Sequence, residues 1–227
     1  MRLYLLIIVI LSFFLSCNNT ENTSTKNEGV ITYDITYLEA DKISTMIELL
    51  PSEMTMKFKE NSTKIYMGLG IFNTAYISKA SDDSSSILLQ IMYAKYHYKE
   101  HRNDSSILFT DMPGLQIEYT DETKEIAGYK CKRANIKYDG YGGENFSVYY
   151  TDQININNPN RNNPFRDING VLLEFQLVLL DLNMKFTANN VENIQVPPEE
   201  FEPSVEFENA EKEKMEETLN SLKLMLM

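Results

Sequence analysis

The chain has 227 residues, 43% hydrophobic and 24% charged, with 9 Gly and 7 Pro. That composition suits a globular core and excludes collagen-like, extended coiled-coil and wholly disordered chains. The 21 basic residues against 33 acidic ones leave a formal net charge of -12, which argues against nucleic acid as a partner.

Met1–Arg2 forms a minimal positive n-region, and Leu3 to Leu15 is almost unbroken apolar sequence. The run is too short to span a bilayer permanently and reads as a signal peptide. Ser16–Cys17 follows, and Phe14-Leu15-Ser16-Cys17 resembles a bacterial lipobox. Cleavage before Cys17 makes residues 1–16 a lipoprotein signal peptide and Cys17 the lipid attachment site, so that the protein partners a membrane through its N-terminal acyl chains. Residues 17–28 are polar and contain no core-forming pattern, as expected of a flexible tether. Residues 29–227 then read as a single β-rich domain. With Cys17 acylated, Cys131 has no disulfide partner; it is expected to be a buried strand residue, although its basic neighbours Lys130 and Lys132 favour a lowered thiol pKa.

Within the domain, Ile31, Tyr33, Ile35 and Tyr37 alternate with Thr32, Asp34 and Thr36, the signature of a half-buried strand. Met54, Met56 and Phe58 repeat it, Glu60-Asn61-Ser62 turns, and a strand follows near 63–68. Apolar residues at 71–77, 87–98 and 107–109 predict further strands. Leu115, Ile117 and Tyr119 alternate, Asp121-Glu122-Thr123 predicts a turn, and a strand is expected over 129–138. Asp139-Gly140-Tyr141-Gly142-Gly143 leads into Phe146, Val148 and Tyr150. The stretch 155–164, rich in Asn, reads as a long exposed loop. Residues 170–180 and 182–188 predict a hairpin across Leu180-Asp181 or two buried neighbouring strands, with Glu174 either in a cavity or on a solvent face. Pro197-Pro198 is expected to close the sheet region. Met215, Leu219, Leu222 and Leu226 recur at helical spacing, predicting an amphipathic helix over about 208–226. The fold class is therefore mainly β: a curved antiparallel sheet or open half-barrel with a C-terminal amphipathic helix, a sandwich being the alternative.

No catalytic motif stands out. His97 and His101 are the two histidines and have no Cys/His cluster to complete a zinc site. Gly68-Leu69-Gly70 lacks the Lys and further glycines of a phosphate loop, and no cofactor is implied. The strand tyrosines Tyr33, Tyr37, Tyr93, Tyr96 and Tyr149 are the candidate ligand-lining residues, because their rings bury area while their hydroxyls keep polar contacts. They serve equally well to cover a sheet with one wet face.

Glu125-Ile126-Ala127-Gly128-Tyr129-Lys130-Cys131-Lys132-Arg133-Ala134 resembles a strand-turn signature in exported Bacteroidetes lipoproteins related to the GLPGLI family. Pro164-Phe165 and Asn169-Gly170-Val171-Leu172-Leu173-Glu174-Phe175 are similar to the later part of the same pattern. The resemblance implies a sheet-rich form like the half-barrel of LolA/LolB-type lipoprotein carriers and RseB-like sensors, which hold acyl chains under a helix. That likeness is an analogy of fold. It implies no catalytic residue. Three functions stand open: binding a lipid or other hydrophobic ligand in the concave face, an interaction or scaffold role with an envelope protein partner, and an acid-residue hydrolase. The location expected is the cell envelope, lipid-anchored at the outer membrane and facing the periplasm.

Overall fold

The computed structural model describes residues 27–38, 50–69, 72–101, 104, 106–108, 112, 114–138 and 145–226. The signal segment, Cys17 and most of the tether lie outside the described residues. Period-two patterning builds β1 (Glu28–Tyr37), β2 (Glu53–Lys59), β3 (Ser62–Leu69), β4 (Phe72–Lys79), β5 (Ser84–Ile91) and β6 (Ala94–His101). After a connection come β7 (Gln116–Ile126), β8 (Tyr129–Lys137), β9 (Phe146–Thr151), β10 (Val171–Leu179) and β11 (Leu182–Glu192). In β1 the alternation works as read: Ile31, Tyr33 and Tyr37 are buried while Asp34 and Thr36 face water.

All these strands share one sheet, in the order β12-β6-β5-β4-β3-β2-β1-β11-β10-β9-β8-β7, where β12 is Glu208–Asn209. Two antiparallel meanders, β1 to β6 and β7 to β11, are joined by antiparallel pairing of β1 with β11. The short β12 runs parallel to β6. The sheet is not closed into a barrel, because its outermost strands β7 and β12 do not pair with each other. The curved, open, mainly antiparallel sheet with a C-terminal helix is the fold class that the patterning predicts.

Several boundaries differ from the sequence expectation. The apolar run 87–98 is split into β5 and β6 by a turn at Met92–Tyr93, with Met92 at φ 55°. The acidic triplet 121–123 does not turn the chain. β7 continues through it, with a register shift between Tyr119 and Thr123, and turns only at Ala127–Gly128. Ile107 and Leu108 form no strand. The expected β10–β11 hairpin across Leu180-Asp181 is present, both residues having positive φ.

Both faces of the sheet are covered. On the concave face, Ile31, Tyr33, Phe58, Phe175 and Phe186 form the main core with Ile154, Ile156, Phe165 and Ile168. The last four come from the segment between β9 and β10, and within 155–164 Ile156 and Asn160 are buried while Asn155, Asn157 and Asn158 are exposed, so the expected exposed loop is exposed only in part. Asn160 explains how the inner part is buried: its Nδ2 donates to the carbonyls of Ile168 and Gly170, both at 2.8 Å. The side-chain amide thus substitutes for the missing backbone ladder.

After β11 the chain crosses the convex face. Val196 and Phe201 pack on Ala75, Ile77 and Leu88. Lysines on β2, β3, β4 and β6 hold this segment: Lys57 and Lys64 both reach Glu200, Lys79 reaches Glu202 and Lys95 reaches Glu206. The chain then pairs as β12 along the edge of β6, which extends the sheet past Pro197-Pro198. Helix α1 (Lys212–Leu226) follows on the opposite face. Its buried Met215 and Leu219 pack against Tyr76, Ile87, Leu89 and Leu108. The helix begins four residues later than the spacing alone predicts, because residues 208–209 are used as strand.

Candidate functional site

The cover segments leave one apolar crevice on the concave face. Met54, Ile65, Met67, Tyr76, Leu108, Phe175, Leu177, Leu179 and Phe186 supply its greasy walls. Residues of β3 and β4 face residues of β10 and β11 across it, which the curl of the sheet makes possible. About 710 Å³ lies free of atoms, part of it open to solvent, and the centre of a water molecule reaches about 70 Å³ of that. The enclosed part of the crevice is therefore small, below the roughly 300–1,000 Å³ of typical small-molecule sites.

Thr63, Ser78, Asn162 and Asn163 gather at one end, while Thr74, paired with Met67, is polar lining at the other. Strand register aligns Thr63 with Ser78, Ser78 with Ser85, and Ser85 with Glu100. All four are buried, and they form a transverse polar row across β3, β4, β5 and β6. The cover segment completes it. Asn162 Nδ2 donates to Ser78 Oγ at 2.9 Å and to Ser85 Oγ at 3.0 Å, while Arg161 Nε and a terminal guanidinium nitrogen reach Ser78 Oγ at 3.2 and 3.0 Å. The next row along the strands, Met56, Ile65, Tyr76 and Ile87, is apolar except for the tyrosine hydroxyl.

Glu100 closes the polar row at the β6 side. Its Oε2 accepts from Tyr76 Oη at 3.2 Å and its Oε1 from the Ile107 backbone N–H at 3.0 Å. Burial pushes its carboxyl above the ordinary range, against the pull of the hydrogen bonds from Ile107, Ser106 and Tyr76, and Asp104 pushes it further. Burial likewise raises the Tyr76 hydroxyl, and the nearby Glu100 charge adds to this, while Arg161 acts in the opposite sense.

The tyrosines singled out by sequence are dispersed. Tyr33 is enclosed in the main core, its hydroxyl donating to the Leu172 carbonyl at 2.9 Å. Tyr37 is buried and donates to the Pro51 carbonyl at 2.8 Å. Tyr96 is half-buried beside α1, with Lys214 Nζ 5.7 Å from its ring centroid. Tyr149 is half-buried under Lys124 Nζ, 4.8 Å from its centroid. Tyr93 sits at the tip of the β5–β6 turn, 95% exposed. None of the five lines the crevice; Tyr76 does. Sequence reasoning missed the Thr63–Ser78–Ser85–Glu100 row because its members lie far apart along the chain and only strand register unites them.

The remaining chemistry-bearing residues have structural surroundings. Glu174 is buried under two ammonium groups, Lys124 at 2.7 Å and Lys185 at 3.0 Å. Burial alone would raise its pKa, but the hydrogen bonds and charges of those lysines outweigh it and hold the carboxyl below its ordinary value. Cys131 is buried on β8, where burial pushes its thiol up to about 11, so the basic neighbours do not make it reactive. His97 bonds Asn209 Oδ1 at 3.1 Å and Ser86 Oγ at 3.0 Å through its two ring nitrogens. Among the described residues no three His, Cys, Asp or Glu side chains are grouped to hold a metal, and no helix is long and apolar enough to cross a membrane.

No family model and no curated protein matches the chain. Among solved structures it is similar to PNGF-II in a C2 space group, with 12% sequence identity and a TM-score of 0.53. The likeness covers 86% of this chain and 33% of that one, so the chain spans about a third of PNGF-II's length. At this identity the comparison shows a shared fold alone.

Proposed function

We propose that this chain is a lipid-anchored envelope protein, of the GLPGLI-related kind, that holds a hydrophobic or amphipathic ligand in its concave crevice. The crevice itself carries the reading: an apolar space walled by Met54, Ile65, Met67, Phe175, Leu177 and Leu179, with Thr63, Ser78, Asn162 and Asn163 gathered at one end. Largely preformed apolar clefts with few placed polar groups are the usual form of small-molecule sites. The anchor is Cys17, whose acyl chains tether the domain to the outer membrane on its periplasmic side. Full-length chain purified from membranes and transferred to amphipol is the material for the test. Organic extraction followed by mass spectrometry is expected to release a near-stoichiometric amphiphile. A protein free of any such molecule overturns this reading.

A second reading, an interaction module of the envelope, draws support from the covering of the concave face. Phe165 and Ile168 of the chain's own cover segment occupy much of the space an open half-barrel would offer. In-cell crosslinking distinguishes it, since a single partner recovered at near-equal amounts is expected there and no partner is expected of a ligand carrier.

A further inference from the structure

We infer that the convex face carries a second site, a pocket between β3–β5 and the segment 202–207 that takes one neutral pyranose ring of a saccharide. The site is separate from the concave crevice, and the inference does not depend on what the crevice holds.

Strand register builds the floor of the pocket. Gly68, Asn73 and Gln90 lie opposite one another on β3, β4 and β5, and the next row on the same face is Tyr66, Ala75 and Leu88. A row of side-chain amides therefore runs beside an apolar row. Gly68 is what lets the two rows meet, because a Cβ there would come within 2.0 Å of Asn73 Oδ1 and 2.6 Å of Tyr66 Oη. Over that glycine Tyr66 Oη donates to Asn73 Oδ1 at 2.7 Å.

The facing wall is Glu202, Ser204 and Phe207 of the segment that crosses this face. Ion pairs of Lys79 with Glu202 and of Lys95 with Glu206 fix it to the sheet, so the pocket is preformed. About 580 Å³ between floor and wall is free of atoms, part of it open to solvent, and the centre of a water molecule reaches about 220 Å³ of it, against about 70 Å³ in the concave crevice. That space admits a six-membered ring with its hydroxyls.

The hydrogen-bonding capacity left over decides the class of ligand. Asn73 Nδ2 and the Gln90 side-chain carbonyl have no partner among the described residues, and Gln90 Nε2 makes one long bond, 3.3 Å, to the Met92 carbonyl. Ser204 Oγ accepts from the Glu206 N–H at 3.4 Å, which leaves its own proton to give. The two charged groups of the lining are already paired, Lys64 with Glu200 and Glu202 with Lys79. A mixed set of neutral donors and acceptors matches vicinal hydroxyls, which give and accept at once, better than it matches an ion. The net charge of -12 adds nothing for an anionic sugar. Phe207 and the 41% exposed Tyr66 offer flat ring surface to the C–H face of a pyranose.

The experiment follows binding to the full-length chain in amphipol by saturation-transfer NMR. The probes are the methyl glycosides of glucose, galactose, mannose, xylose and N-acetylglucosamine, each titrated to about 20 mM, with methyl glucuronide as the anionic counterpart. At least one neutral glycoside is expected to bind with a Kd of about 1 mM, and the glucuronide more weakly than glucoside. Asn73→Ala and Gln90→Ala should each weaken that binding about tenfold, with thermal melts confirming that the variants stay folded. Tyr119→Ala, which removes an exposed ring on the far edge strand β7, should leave it unchanged. Binding of no neutral glycoside overturns the inference, as does binding that survives both amide variants. A glucuronide bound more tightly than every neutral glycoside, or an equal loss in Tyr119→Ala, overturns it too.

Discussion

Two buried carboxyls show how one residue type acquires opposite pH behaviour from its surroundings. Glu174 is held below the ordinary carboxylate pKa despite its burial, because Lys124 and Lys185 reach its two oxygens. Its contribution to stability is therefore complete above the unfolded-state value and disappears as pH falls through the folded one. Glu174→Gln should cost about 1–3 kcal/mol at neutral pH, and urea melts should show the difference from wild type shrinking as the solution is acidified below the carboxylate range. Glu100 runs the other way. Its pKa is raised, first by burial, so its ionisation subtracts stability as pH climbs from the unfolded value through the folded one. Thermal melts should show Glu100→Gln gaining on wild type across that interval and then levelling; a flat difference would mean that the carboxyl is not desolvated. The sequence marked Glu174 as unusual, since an acid within Val171-Leu172-Leu173-Glu174-Phe175 interrupts an apolar run. It gave no reason to notice Glu100, which sits among the charged residues of Lys99-Glu100-His101 and is buried beside Tyr76, Ser85 and Ile107. The tyrosines misled for a related reason. A ring on a strand is legible, but which face it joins depends on register, and Tyr93 turned out to be at a turn.

Among the elements, turns and covers divide what can be read from what cannot. Ala127–Gly128 joins β7 to β8 with both residues at positive φ, 49° and 81°. A Cβ on Gly128 would meet nothing within 4 Å, so Gly128→Ala isolates the backbone cost of the left-handed conformation. A loss of about 1–2 kcal/mol is expected by chemical denaturation. The Gly at this turn is readable from sequence, whereas the Asp121-Glu122-Thr123 turn was a false signal. Those residues are polar because β7 is an outer strand, and charge on an exposed edge opposes pairing with another chain. The helix was readable too, from Met215, Leu219 and Leu222. Its role as a lid over Tyr76, Ile87 and Leu89 was not, since periodicity names the buried face but not the surface opposite. Met215→Ala empties a fully buried site and should destabilise the protein by about 2–5 kcal/mol, measured as a shift in urea midpoint with little change in slope. The 155–164 segment was least legible. Its partial burial depends on Asn160, a residue whose composition signal points to solvent and whose hydrogen bonds to Ile168 and Gly170 allow the opposite.

At the scale of the molecule, the β1–β11 pairing unites the two meanders. Local patterning predicts each meander, because neighbouring strands in sequence pair in space. It does not predict which strand of one half meets the other half. That contact joins Val30 to Glu192 and Tyr37 to Met184, and it requires closing a loop of more than a hundred residues. The most protected amides in hydrogen exchange should lie in β1, β10 and β11, which have paired neighbours on both sides and the main core against them. β7, exposed over most of its length and paired on one side, should exchange soonest among the long strands. Uniform protection across the sheet would contradict the edge-to-centre gradient that this topology implies.

The path of residues 193–226 has a consequence for biogenesis. This stretch crosses the back of β1 to β6, rounds the edge of β6 and returns over the front, so both coverings of the first meander arrive last. During synthesis the earlier strands emerge first, with Ala75, Ile77 and Leu88 bare on one side and Ile87 and Leu89 bare on the other. A chain terminated before Val196 would keep those residues unshielded however well its strands paired. The late segment thus serves as a clasp that distinguishes finished molecules from aborted ones, because proteases and chaperones act on exposed apolar surface.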